Sequence, residues 1–215
     1  MVLPRMVYVS DSTEFGTIYT RAELQALHDT CRELGLLLYL DGARMAAALT
    51  AESNDLAPED FAQLCDAFYV GGTKNGLLFG EALIIVNDDL KPFVRNVIKQ
   101  RGGMLAKGRL LGVQFEALFR DELWLETARH ANAMAQKLAA GLKALGVELY
   151  MESPTNQIFP IFPNRTVEAL RKGFAFDFIA PAENDRSVVR FCTSWATPKE
   201  NVDFLLCAVK ALMGR

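Results

Sequence analysis

Histidine is nearly absent from this chain: its 215 residues include two, His28 and His130. A zinc centre therefore has few imidazoles to draw on, and both histidines lie in helical patterns where packing or solvation accounts for them. The cysteines Cys31, Cys65, Cys192 and Cys207 are widely separated and form no C-x-x-C. Neither a metal knuckle nor a disulfide framework is expected; all four read as reduced thiols packed as small hydrophobes, and no metal is expected. No apolar run approaches ~18 residues, so no membrane span is expected. The opening Met1-Val-Leu-Pro-Arg-Met-Val-Tyr-Val-Ser10 lacks the long apolar core and small-residue cleavage pattern of a secretory signal, which points to a cytoplasmic protein. In such a compartment the sequon Asn164-Arg-Thr166 stays unused. A net charge of −3 without a basic block argues against nucleic acid as a main partner.

What is present suits a compact α/β chain: 51% of residues are hydrophobic and 23% charged. Met6 to Ser10 reads as a short strand. Thr20 and Glu23 form a capping-box pattern ahead of Leu24, Leu27, Cys31 and Leu34 at helical spacing, and Gly35 ends that helix. A buried strand, Leu36 to Leu40, follows. Pro58 opens a helix through Leu64, and strands Ala67 to Val70 and Glu81 to Val86 come next. From Asp88 to about Leu145 the pattern is helical, broken at Arg101-Gly-Gly103, with a long amphipathic stretch from Leu123 to Leu142. Strands then return at Val147 to Met151, Gln157 to Ile161 and Ser187 to Phe191, with a helix near Thr166 to Lys172. A last helix opens with Thr197 as N-cap, Pro198 at its first position and Glu200 at its third.

Two segments carry the chemistry, Leu36-Leu-Leu-Tyr-Leu-Asp41-Gly-Ala-Arg44 and Ala67-Phe-Tyr-Val-Gly-Gly-Thr-Lys74-Asn-Gly76. Each places a charged residue just past an apolar strand, where ligands bind on open α/β sheets. A carboxylate there can hold a pyridine nitrogen protonated, and a lysine on a glycine turn can form an imine with an aldehyde, which together suggest pyridoxal phosphate. A strand-end aspartate also serves as the N-cap of a following helix, and the glycines of the second segment also simply make a turn. The G-x-x-x-x-G-K-[ST] spacing of a phosphate-wrapping loop is missing. Arg44 can turn back toward the site if a helix starts at Gly42. Arg190, among Val188, Val189 and Phe191, suits a substrate carboxylate through its planar fork; a salt bridge to a nearby acid or a solvated edge position would equally relieve its charge.

These stretches, with Val7-Tyr-Val-Ser-Asp-Ser-Thr-Glu-Phe-Gly16, Arg101-Gly-Gly-Met-Leu-Ala-Lys-Gly108 and Val188-Val-Arg-Phe191, resemble the threonine aldolase and β-eliminating lyase family in order and spacing along nearly the whole chain. The resemblance implies a pyridoxal-phosphate enzyme of the aspartate aminotransferase fold, fold type I. The expected architecture is the C-terminal part of its large domain, a mostly parallel sheet with helices on both faces, plus a small C-terminal α+β domain. The boundaries are 1–92 for the cofactor-binding part, 93–145 for interdomain helices and 146–215 for the small domain.

It further implies a Schiff base on Lys74, cofactor contacts from Asp41, Arg44, Asp11 and Thr73, and a substrate carboxylate on Arg190 and Arg44. Lys107 and Arg109 are candidate phosphate or subunit contacts. The partners implied are a small amino-acid substrate and, in the complete protein, a homodimer or tetramer. Departures are visible: Asp11 stands where relatives usually carry asparagine, Leu105 stands at an arginine position, and Glu81 replaces a smaller residue. The phosphate loop and the ring-stacking residue of such enzymes come from sequence preceding the equivalent of Tyr8, so the chain reads as truncated and inactive alone. Three functions follow: cleavage of L-threonine or L-allo-threonine to glycine and an aldehyde; β-elimination or transamination on the same scaffold; or a catalytically incompetent, partner-bound fragment.

Overall fold

The computed structural model describes residues 3–214. Four strands, β1 (Met6–Ser10), β2 (Leu37–Gly42), β3 (Ala67–Gly71) and β4 (Glu81–Ile85), form one sheet in the order β1-β2-β3-β4. The first three are parallel and β4 runs antiparallel to β3. Helix α1 (Arg21–Glu33) starts at the expected capping box: Thr20 Oγ1 accepts the Glu23 N–H at 3.2 Å, and Glu23 Oε2 accepts the Thr20 N–H at 2.8 Å. With α2 (Met45–Leu49) and α3 (Pro58–Leu64) it completes the first half of the fold.

Strand alternation sorts the side chains. Leu38, Leu40, Phe68 and Val70 point to one face and pack with Leu24, Phe61 and Leu64 of α1 and α3. The opposite face carries Met6, Tyr8 and Leu83, which are 49%, 54% and 46% exposed. Among the described residues, the helices expected on both faces therefore cover one. At the foot of the sheet Asp66 is buried. It accepts from the Leu38 N–H at 2.7 Å, from Asn87 Nδ2 at 2.7 Å and from Arg32 Nη2 at 3.1 Å. Burial alone would raise the Asp66 pKa; the Leu38 amide, Asn87 and Arg32 reverse that and leave it lowered.

The middle of the chain is helical as expected: α4 (Val94–Gln100), α5 (Arg109–Phe119) and α6 (Leu123–Ala144). Among the described residues no helix is long and apolar enough to cross a membrane. The second half builds an antiparallel sheet from β5 (Gln157–Ile158), β6 (Ile161–Pro163), β7 (Asp177–Ala182) and the central β8 (Arg186–Cys192). Helices α7 (Asn164–Leu170) and α8 (Lys199–Leu212) pack with α6 over it through Leu138, Leu142, Leu170, Val189, Leu205 and Val209. Asn132 of α6 joins the halves, donating from Nδ2 to the Ala47 carbonyl at 2.9 Å.

Four local expectations are corrected. The strand expected at Val147 to Met151 is reduced to a single bridge, Leu149 to Pro160, because the Val147 N–H closes the end of α6 on the Leu142 carbonyl at 3.0 Å. The strand expected over Gln157 to Ile161 splits into β5 and β6 at Phe159-Pro160, where proline has no N–H for the ladder. Strand β7 has no counterpart in the sequence reading; its Pro181 is tolerated because β7 pairs only with β8, at the sheet's edge. Pro198 is the N-cap of α8 rather than its first residue.

Replacing Asp66 with alanine strands the buried Leu38 N–H and Asn87 amide. Urea unfolding should show a loss of about 2–4 kcal/mol at neutral pH. The native Asp66 pKa lies below its unfolded value, so the wild-type advantage is full above the unfolded pKa and fades as pH falls through the native one. A variant as stable as wild type at pH 7 contradicts this.

Candidate functional site

The parallel register brings three strand ends level, pairing Ser10 with Asp41 and Asp41 with Tyr69. Three turns leave that edge: Asp11 to Thr17 after β1, Asp41 to Arg44 along the end of β2, and Gly71 to Gly76 after β3. The last two touch so closely that only glycine fits between them. A Cβ on Gly71 would stand 2.4 Å from the Ala43 carbonyl oxygen, and one on Gly42 1.9 Å from that of Tyr69. A 3₁₀ turn, Thr73–Asn75, then presents Lys74. Glu81 holds this turn, accepting the Gly72 N–H at 2.8 Å and lying 3.3 Å from Thr73 Oγ1.

Asp41 is gripped by phenols. Tyr69 and the Ala43 N–H, the latter at 2.9 Å, donate to Oδ1, and Tyr8 donates to Oδ2. Burial pushes the Asp41 pKa up, but the hydrogen bonds from Tyr69, Tyr8 and Ala43, with the charge of Lys74, outweigh it and hold the group below its ordinary value. Tyr8 pays the counterpart of this grip: the hydrogen bond to Asp41, then burial, pushes its pKa up to about 12. Lys74 moves the other way, its pKa lowered by burial and by the Arg44 charge against the opposing pull of Glu14, Asp41 and Glu81. Asp41 does not cap α2, whose N-cap is Arg44; its bond to the Ala43 amide makes a local turn instead.

The helix expected to begin at Gly42 begins at Met45, yet Arg44 still reaches the cleft from the N-cap position. That cleft, of about 240 Å³, is lined by Arg44, Thr73, Lys74, Asn156, Cys192 and Trp195, among others. Asn156 Nδ2 donates to the Thr193 carbonyl at 2.8 Å, while its buried Oδ1 has no partner among the described residues. Trp195 sets its indole against Gly76.

Arg190 of β8 approaches from the second sheet. Its Nε and Nη2 donate to Asp177 Oδ2 at 3.1 and 2.8 Å, and its Nη1 to Gln157 Oε1 at 3.1 Å and Glu14 Oε2 at 3.3 Å. The salt-bridge account of Arg190 is thus realised through Asp177, with Gln157 and Glu14 on its Nη1. Glu14 Oε1 lies 3.3 Å from Arg44 Nη1, so one carboxylate joins both arginines.

The structure therefore gathers Asp41, Arg44, Thr73, Lys74 and Arg190. It does not gather the rest. Asp11 is 1% exposed, and its charge acts on Tyr19 and Cys65 rather than on Lys74. Lys107 and Arg109 are exposed at the start of α5, and their side chains make no hydrogen bond or ion pair among the described residues. The sequence reading gave Glu14, Tyr8, Tyr69 and Gln157 no role. For the tyrosines a signal existed: in adjacent parallel strands, positions of like parity share a face. For Glu14 and Gln157 there was none, since their contacts join residues on different sheets.

The four thiols are free, and no cluster able to hold a metal occurs among the described residues. His28 Nδ1 meets the Leu64 carbonyl at 2.6 Å and His130 Nε2 that of Thr197 at 2.8 Å, both structural contacts. The residues present suit pyridoxal phosphate. Asp41 Oδ2 accepts from Tyr8 alone, which leaves a lone pair for a further donor. The Lys74 pKa is lowered, and Lys74 and Asn156 line the same cleft.

Comparison with known proteins gives a consistent result. Residues 3–163 match the model of the beta-eliminating lyase family. The low specificity L-threonine aldolase of Pseudomonas aeruginosa is 36% identical over 214 residues, which are 98% of this chain and 60% of that protein. That of Escherichia coli O157:H7 is 29% identical over 150 residues, 69% of this chain and 43% of the relative. Among solved structures, the Leishmania major threonine aldolase superposes with a TM-score of 0.96 at 48% identity, covering 99% of this chain and 62% of that one. A putative L-allo-threonine aldolase of Listeria monocytogenes shares the fold, with a TM-score of 0.73 at 19% identity over 96% of this chain and 61% of its own. The chain spans about 60% of the length of the Pseudomonas relative.

Among the described residues, Asp11 is a buried acid without a cation beside it. Burial pushes its pKa up to about 7, which the Tyr19 backbone amide opposes only in part. The native state therefore holds this proton more tightly than the unfolded chain, where a carboxyl titrates near about 3.9. Stability should fall as pH rises from about 4 to 7 and level off above, a loss on the order of 3–4 kcal/mol from this group. Asp11→Asn should be the more stable protein at pH 8 and converge with wild type near pH 4. Parallel stability curves over that range would remove Asp11 as the cause.

Proposed function

The chain belongs to the beta-eliminating lyase family, and from that membership we propose that the protein is a pyridoxal-phosphate lyase of the threonine aldolase kind. It cleaves L-threonine or L-allo-threonine to glycine and an aldehyde. One observation carries this reading: Lys74, its pKa lowered, and Asp41, held ionised, stand on one strand edge beside Arg44, which Glu14 links to Arg190 of the second sheet.

Lys74 would hold the cofactor through its aldehyde carbon, Asp41 would accept the ring N–H, and Thr73 and Arg44 would line the cleft beside it. The cofactor, when bound, supplies an electron sink for the bond that breaks next to the substrate nitrogen. The protein's residues do the rest. The lowered pKa of Lys74 Nζ raises its share of neutral amine, the form that acts as a nucleophile. Asp41 keeps its negative charge because three donors already point at it, so a positive ring nitrogen meets a prepared counter-charge. Arg44 and Arg190 orient the substrate by its carboxylate; Asp177 and Gln157 fix Arg190, and Glu14 links it to Arg44.

In the wider reading, residues 1–92 belong to the cofactor-binding domain, 93–145 to the bridging helices and 146–215 to a small α+β domain, in line with two separate cores. The complete protein acts as a cytoplasmic homodimer or tetramer, with Lys107 and Arg109 facing phosphate or a neighbouring subunit.

Holoprotein supplied with L-threonine should release glycine and acetaldehyde in equal amounts. Ammonia and a keto acid instead would assign β-elimination. Borohydride reduction of the cofactor-loaded protein should label Lys74, read by peptide mass, and Lys74→Ala should abolish both the label and turnover. Label on a different lysine would reject the assignment.

Arg190→Lys keeps the charge but loses the planar fork. It should raise KM for amino-acid substrates about tenfold or more while leaving the affinity for carboxylate-free amines nearly unchanged, since a charge-assisted bond of this type contributes about 1.5–3 kcal/mol. Equal effects on both substrate types would count against a carboxylate role.

A further inference from the structure

Among the described residues, Glu14 is the acid that touches both Arg44 and Arg190. Its Oε1 lies 3.3 Å from Arg44 Nη1 and its Oε2 3.3 Å from Arg190 Nη1. The two arginine side chains are largely buried, 11% and 20% exposed, whereas that of Glu14 is 70% exposed. A carboxylate thus bridges two guanidinium groups from the solvent side, one oxygen to each.

The backbone beneath it is fixed. Ser153 Oγ and Thr155 Oγ1 donate to the Gly16 carbonyl at 3.2 and 2.9 Å, and Gln157 Nε2 donates to the Thr13 carbonyl at 3.1 Å. Phe15 packs on Phe159 with ring centroids 5.8 Å apart. With both flanks of residue 14 pinned, the Glu14 side chain can leave the arginines by rotating about its own bonds while the turn stays in place.

We infer that Glu14 is an internal stand-in for the substrate carboxylate, closing the Arg44–Arg190 pair until an incoming amino acid displaces it. This rests on the reading of that pair as the carboxylate site. Displacement exchanges one carboxylate for another, so the charge facing Arg44, Arg190 and Lys74 is unchanged and no buried cation is left unpaired. An amine without a carboxylate cannot make the exchange. Glu14 thereby sets a threshold that amino acids cross and simple amines do not.

The test is acetate binding to the purified protein without cofactor, followed by the side-chain ¹⁵Nε signals of Arg44 and Arg190 at constant ionic strength. Exposed ion pairs of this geometry shift equilibria a few-fold each, so Glu14→Gln should bind acetate about 3- to 10-fold more tightly than wild type. Glu14→Asp retains the charge but is one methylene too short to bridge both arginines, and should bind as tightly as Glu14→Gln. Equal affinity in wild type and Glu14→Gln would overturn the inference while leaving the arginine pair as the carboxylate site. A Glu14→Asp variant that matches wild type while Glu14→Gln binds tightly would also overturn it, because only the field of the charge would then matter. Arginine signals that acetate moves in neither protein would reject the carboxylate site itself, and this inference with it.

Discussion

Ser153 and Thr155 both donate to the Gly16 carbonyl, and a Cβ on Gly16 would lie 2.2 Å from Ser153 Oγ. This is the contact on which the site depends. Gly16 adopts φ +75°, which glycine enters without strain; with the bond from Gln157 to Thr13, it ties the turn after β1 to the second sheet. Without that tie the strand ends of β2 and β3 would still present Asp41 and Lys74. Arg190 comes from β8, however, and meets them only where the two sheets are held together. The cleft belongs to the junction of two cores rather than to either one.

The electrostatics follow from the same junction. Asp41 is charged because tyrosines from β1 and β3, one on each side of β2, reach it, Tyr69 from the paired position and Tyr8 from two residues back along the sheet. The Lys74 pKa is lowered because partial burial of its amine and the charge of Arg44 both disfavour the added proton. The opposite signs of these two shifts come from different causes, hydrogen bonds in one case and burial beside a like charge in the other. Asp11, one residue past the same sheet edge, has neither a cation nor a full set of donors, and its elevated pKa is a cost the fold carries.

Local features were legible in the sequence and contacts between distant segments were not. Asp41 and Lys74 could be named because each follows an apolar run at the end of a parallel strand, and the capping box at Thr20 because its two partners lie three residues apart. A strand is expected at Val147 to Met151 after Gly146, but helix closure on Leu142 claims the amide that would start it. Pro181 hid β7, since a proline is compatible with a strand only at an edge, and edges are set by topology. Glu14 stood in a quoted motif without a role because its two partners come from β8 and from the turn after β2. Contacts from Lys107 and Arg109 are expected from motif position alone, and no ion pair holds their side chains among the described residues.

Trp195 contributes something apart from chemistry. Its indole is 49% exposed, rests on Gly76 two residues from Lys74, and forms part of the cleft wall. The chain's second tryptophan, Trp124, is packed edge-on against Phe119 at 5.5 Å on the far side of the Lys74 turn. The molecule thus carries one fluorophore at the mouth of its cleft and another set in the packing behind it. Displacement of water from the indole by anything that enters beside Lys74 would change the emission of the first and leave the second as an internal reference, so occupancy can be followed optically without an added label.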